Sequence, residues 1–216
     1  MLRTIATLSL VGALSVPTPA AALDLTGIEL GLDTGRISVS DNNYQVFDDG
    51  LQALPSSGLR VALPMDERLS IVGAIAHGAR GATTEINTND AWEEESGDLR
   101  TAIFNDRLSA GARYRLLGER VQVYGVAQAH ALRSVVRLDD DSVHDDNVTQ
   151  LERAALTAGA SADLGVSMTM PVDTLLVTPL GWVEMGYDLF LPSQFEDLGN
   201  LNLSGVSMRM GVGIQF

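Results

Sequence analysis

From Val206 to Phe216 the chain sets Val206, Met208, Met210, Val212, Ile214 and Phe216 on one parity and Ser207, Arg209, Gly211, Gly213 and Gln215 on the other. Neighbouring side chains of a strand point to opposite faces, so this segment predicts a strand with lipid or a core on one side and a hydrophilic environment on the other. The same period of two recurs upstream. It predicts strands at residues 25–33, 58–63, 69–78, 101–116, 121–132, 149–164 and 174–189, eight in all with the last. The clearest is 101–116, where Phe104, Leu108, Ala110, Ala112 and Tyr114 oppose Arg107, Ser109, Gly111, Arg113 and Arg115. Residues 121–132 set Val121, Val123 and three alanines against Gln122, Tyr124, Gln128 and His130.

The connections alternate in length. Residues 34–57, 79–100, 138–148 and 190–200 are long and polar; 64–68 and 117–120 are short, and 165–173 is intermediate. Short turns at one end and long loops at the other are the habit of strands that cross a bilayer and return, and a soluble sandwich has no reason to adopt it. An even strand count also brings both termini to the short-turn side. A bilayer core offers the backbone no hydrogen-bond partner, so such strands must close into a barrel without edges. Inward-parity glycines (Gly31, Gly111, Gly159, Gly211 and Gly213) suit a small, tightly curved one.

Sorted by parity, Glu29, Asp33, Asp163, Glu184 and Asp188 face inward, as do Arg60, Arg107, Arg113, Arg115, Arg153 and Arg209. A narrow interior must pair such charges with one another, because a buried unpaired ion is costly. The expected lumen network is therefore Glu29, Arg60, Arg107, Arg113, Arg115, Asp163, Glu184, Asp188 and Arg209. The remaining acids fall in the expected outer loops: Asp41, Asp48 and Asp49; Glu85, Asp90, Glu93, Glu94, Glu95 and Asp98; Asp139 to Asp141, Asp145 and Asp146; Glu196 and Asp197.

At the other end of the chain, Arg3 precedes an apolar run from Ile5 to Val16 and then Ala20 and Ala22 in an A-x-A pattern. This reads as a cleavable secretory signal over 1–22, too short to cross a bilayer as a helix, leaving one barrel domain over 23–216. The formal charge of −14 disfavours nucleic acid as a partner. All 14 basic residues are Arg, and the absence of Cys excludes disulfides and an N-terminal lipid anchor on sulfur.

Few residues suggest chemistry. Asp139 to Asp141 with Asp145 and Asp146 could gather a calcium ion, but their spacing matches no defined calcium loop, and a solvated, self-repelling segment is the favoured reading. Trp92, ahead of Glu93 to Glu95, is either a loop anchor for a partner or an exposed tip. Among His77, His130 and His144, only His130 has a suggestive neighbour, Ser134, on the same inward parity; a lumen hydrogen bond is the expected role. No metal site, cofactor or phosphate-binding motif is expected.

The strand count, the signal-like leader and the terminal Phe216 on the oily parity together resemble the small bacterial outer-membrane β-barrel superfamily of OmpA-, OmpX- and OmpW-type proteins. The resemblance implies an all-β fold, an eight-stranded antiparallel up-and-down transmembrane barrel in the outer membrane of a Gram-negative cell envelope, with Phe216 as the assembly signal. It also implies contact with outer-membrane lipids, insertion by the outer-membrane assembly machinery, and a structural or surface-interaction role rather than catalysis, with any extracellular partner met by the outer loops. Three features depart from the pattern: aromatics make up only 5% of residues, residues 121–132 offer lipid mainly Ala and Gly, and Pro179 interrupts the seventh strand. Competing readings are a lipid A-modifying barrel enzyme using His130, a secreted lipocalin-like binding barrel with its oily face inward, and a passive, porin-like channel.

Overall fold

In the computed structural model, which describes residues 26–47, 52–90, 93–141, 149–170, 177–195 and 199–216, the wall strands are β1 (Glu29–Val39), β2 (Ala53–Pro64), β3 (Leu69–Asp90), β4 (Glu93–Leu117), β5 (Val121–Asp141), β6 (Thr149–Thr169), β7 (Thr178–Phe190) and β10 (Gly205–Gln215). They pair antiparallel in chain order, and β1 closes against β10. The expected leader, 1–22, lies outside the described residues. Following one row of paired residues around the wall leads from Val39 through Gly205, Asp188, Ser161, Gln128, Gly111, Val72 and Ala62 to Glu29, ten residues back along β1. With a rise of ~3.3 Å per residue and ~4.8 Å between strands, that stagger tilts the strands by roughly 40°.

The expected long loops are largely strand. β3 and β4 stay paired out to Asp90 and Glu93, β4 pairs with β5 as far as Asp98 and Asp141, and β5 with β6 as far as Asp140 and Thr149. On the flanks the ladders stop sooner: β2 leaves β3 at His77, and β7 leaves β6 at Gly159. A four-stranded blade, β3 to β6, therefore rises beyond the barrel rim. The period-two signal had weakened there because neither face of the blade is immersed in hydrocarbon. Acids expected in loops, such as Glu85, Glu93 and Asp139, belong to these strands.

Two other connections cap the rim. Within 40–52 a 3-10 helix, Asn42–Phe47, turns Tyr44 and Phe47 inward. Between β7 and β10, the short strands β8 (Ser193–Phe195) and β9 (Gly199–Leu201) pair as a hairpin. Asp41 ties the two connections together, its carboxylate accepting from the backbone N–H of Asn43 at 2.9 Å and of Asn202 at 2.8 Å. It is thus a structural residue, not one more solvated loop acid. At the opposite end the turn after β2 is closed by Asp66, whose Oδ1 accepts from the N–H groups of Arg68 and Leu69, each at 2.7 Å. Among the described residues the seventh strand runs from Thr178, with 174–176 outside them, so Pro179 sits at its described start and costs no interior ladder bond.

Candidate functional site: the ion-paired lumen and its apolar cap

The direction of the side chains decides what kind of barrel this is. Leu108, Leu156 and Val212 are 60%, 78% and 67% exposed on the outer wall, whereas Arg113, Glu184 and Arg209 are 8%, 2% and 6% exposed inside. Outside, the apolar surface continues through Leu30, Leu32, Leu59, Ile71, Ile75, Leu164, Val183, Met185, Met208 and Met210. On β4 it runs from Leu108 to Leu116, a length fit for one tilted crossing of about nine to eleven residues. It ends where Asp106 faces outward between His77, at 2.8 Å, and Arg133, at 3.3 Å. A soluble barrel of lipocalin type would need the opposite facing. The fold is that of the small eight-stranded outer-membrane barrels.

Tyr114 and Phe216 mark the short-turn margin of this transmembrane barrel, and Tyr187 stands exposed higher on β7, below Leu189 and Leu191, a sparse version of the aromatic girdle. The backbone N–H of Phe216 donates to the Ile28 carbonyl at 3.0 Å, and its own carbonyl accepts from Gly27, which seats the end of the chain against the start of β1.

Inside, four guanidinium groups meet four carboxylates in layers. Nearest the short turns, Arg113 on β4 reaches across to Glu29 on β1 through two hydrogen bonds of 2.6 Å, and its guanidinium stacks over Tyr124 at 5.3 Å. Above it, Arg60 on β2 donates to Glu184 on β7 at 2.5 Å and stacks over Trp182; the same carboxylate accepts from the Tyr124 hydroxyl at 3.0 Å. Next, Asp188 on β7 is shared by Arg107, at 2.8 Å, and Arg209, at 2.5 Å, and Arg209 continues to Asp163 on β6 at 3.2 Å. Ser161 and Ser207 complete the shell of Asp163. Every wall strand except β3 supplies a side chain to this network. The bidentate Arg113–Glu29 pair and the carboxylates shared between further donors recover enough of the desolvation cost for charges to be held here.

Eight of the nine expected network residues thus meet. Arg115 does not: it has the inward parity but makes no ion pair among the described residues. A register shift between Arg115 and Leu117, where β4 enters its turn, leaves it at the mouth, beyond the reach of the paired layers.

The pairing of His130 with Ser134 is also corrected. His130 Nδ1 lies 2.8 Å from the Ser109 hydroxyl and its ring packs on Phe190, while Ser134 donates to Asn105 at 2.6 Å. Both residues do face inward, but each is matched to its cross-strand neighbour on β4, a registration that sequence spacing alone does not supply.

Above His130 an apolar cluster fills much of the interior, beside the inward-parity Arg80 and Arg153. Ile37, Val39, Leu54, Ile103, Leu132, Val136 and Phe190 from the wall pack against Tyr44 and Phe47 of the 3-10 helix and against Phe195, Leu201 and Leu203. This cap was missed because its residues are scattered through polar connections. The signal available was the cluster Tyr44, Val46 and Phe47 in an otherwise polar stretch. The glycines have a more specific use than curvature. Gly31 and Gly211 form the floor on which Trp182 lies, Gly159 faces Phe190, and Gly165 faces Tyr124, so each large lumen aromatic rests on a bare backbone.

Among the described residues no group of three or more His, Asp or Glu side chains is arranged to hold a metal ion. Most of the acidic run considered for calcium falls outside the described side chains.

No known family profile matches the chain, and no curated protein matches it. Solved structures do. Two are of Ail, the attachment invasion locus protein of Yersinia pestis: in complex with the heparin analogue sucrose octasulfate (15% identity, TM-score 0.37) and alone (15% identity, TM-score 0.35). Each alignment covers 88% of this chain and 97% of Ail. The assignment of the fold rests on the ladder and on the facing of the side chains.

Proposed function

We propose that this protein is a non-enzymatic barrel of the Gram-negative outer membrane that holds a rigid, acidic surface outside the cell and acts by contact there. The observation that carries this reading is that the interior is committed to structure along its length, with ion-paired layers below and an apolar cap above. Those layers oppose a conduit, and the blade projects beyond them. Beyond His77, β3 has no ladder partner on its β2 side among the described residues, and this edge offers backbone groups to a partner strand. Outer-membrane lipids surround the apolar belt, and the assembly machinery inserts the chain.

Shaving intact cells with a glutamate-specific protease tests location and orientation together. Cleavage is expected in the hairpin at Glu85 and Glu93 to Glu95, and none at Glu67 or Glu119 in the short turns until the membrane is opened. Cutting at Glu67 in intact cells would reverse the orientation and remove the reading. A lipid A-modifying role would require His130, which is sealed between Ser109 and Phe190. His130→Ala should leave the mass spectrum of lipid A unchanged.

A further inference from the structure

At the mouth of the barrel an open cleft of about 430 Å³ lies between the inner face of the blade, the 3-10 helix and β9. Val46 and Phe47 of the helix, Val136 and Leu138 of β5, and Phe195 and Leu201 of the cap hairpin form its walls, with Asn43 and Asn200 as exposed polar residues at its edge. Among the described residues no charged side chain lines it. The volume falls in the range of sites that bind small ligands or an anchoring side chain. Val46, unlike Tyr44 and Phe47, leaves about half of its surface uncovered (53%), so the cleft has an apolar wall still open to an occupant.

The charge around the mouth narrows the choice of occupant. Residues 79–100 carry six acids, Glu85, Asp90, Glu93, Glu94, Glu95 and Asp98, against Arg80 and Arg100, and residues 137–153 carry six, five Asp and Glu152, against Arg137 and Arg153, so the balance is strongly acidic. These segments form or adjoin the strand ends of the blade whose base walls the cleft. Such a field attracts cations and opposes anionic lipids, acidic proteins and a second copy of this chain.

We propose that the cleft seats an apolar side chain of a cationic amphipathic peptide segment, whose Lys or Arg residues are held by the acidic blade. The proposal deepens the surface-contact reading and rests on it. Apolar burial anchors the segment, and the charges speed and orient its arrival.

The test uses the full chain refolded into phosphatidylcholine vesicles, whose neutral headgroups do not themselves recruit cations. The probe is a short fluorescent peptide of alternating Lys and Phe, read by anisotropy. Saturable binding is expected, weakening as salt screens the field. It should fall by about tenfold with Asn200→Trp, which fills the cleft, and by a similar factor with the Phe→Ser or the Lys→Gln version of the peptide. Val46→Ser, at a half-exposed position, replaces Asn200→Trp if that variant does not refold. Equal affinity for the cleft variants overturns the site. Equal affinity for the Lys→Gln peptide overturns the cationic partner, and absence of saturable binding at low salt overturns both. Any of these results with the protease map intact leaves the surface reading standing, whereas a reversed protease map removes both.

Discussion

Glu184 shows how much a single lumen residue carries. It is the carboxylate partner of Arg60 and the acceptor for Tyr124, and it is buried. Glu184→Ala strands the guanidinium and should cost about 3–5 kcal/mol, read from the urea unfolding midpoint. The double variant Glu184→Leu with Arg60→Met should recover most of that, because an apolar pair of similar volume needs no desolvation. A double variant as unstable as the single would mean that the charges supply more than mutual neutralisation. Gly211 belongs to the same scale: a Cβ there would lie 2.2 Å from Trp182 Cζ2 and 2.6 Å from the Leu32 carbonyl oxygen. Gly211→Val should therefore lose about 1–3 kcal/mol. Gly181→Ala should be nearly neutral in the same assay, since its added methyl meets only a backbone oxygen at 3.7 Å. Asp66 adds a pH dependence. The N–H groups of Arg68 and Leu69 hold its carboxyl below the ordinary 3.8. A depressed folded value means the contribution is complete above the unfolded pKa and is lost as pH falls through the folded one. The gap in stability between wild type and Asp66→Ala should accordingly be present at neutral pH and close on acidification below 3.8.

The β3–β4 hairpin separates membrane crossing from surface display. The ladder that closes the wall on this side, Ser57–Pro64 with Ser70–His77, lies wholly below the extension. Replacing 84–99 by a tight turn should shift stability by less than about 1 kcal/mol, since loop-closure entropy changes slowly with length. A large loss would show that the blade supports the barrel rather than being carried by it. The element boundaries also show where sequence reading reaches its limit. Strands β4 to β6 were legible wherever hydrocarbon imposes alternation, from Leu108 to Tyr114 or from Leu156 to Leu164. Where the strands leave the membrane, as β5 does at Asp139, hydrocarbon no longer imposes alternation and the pattern fades, so the sequence reads as loop what the fold holds as strand.

The whole molecule has two seals in series, one ionic and one apolar. No step of open-pore size is expected in planar bilayers. Tyr44→Ala with Phe47→Ala should cost several kcal/mol, about 3–5 for each buried aromatic at most. It should still open no pore, because the layers of Arg209, Glu184 and Arg113 remain beneath the cap. Large conductance from that variant would place the barrier in the cap alone. The sequence by itself determined the class of the fold and the strand parity, and with it most of the inward charges of the membrane-crossing segments, because a bilayer forces a period of two on every strand that crosses it; Arg80, on the inward parity of β3 above the membrane, escaped that reading. It could not assign partners. Whether Arg209 meets Asp163 or Glu29, whether His130 meets Ser109 or Ser134, and whether Arg115 joins at all depend on the ten-residue stagger around the barrel. That stagger is a property of the closed ring, set only when β1 meets β10, and no single strand carries it. The apolar cap likewise exists only once two distant connections converge on the same rim, held together by Asp41.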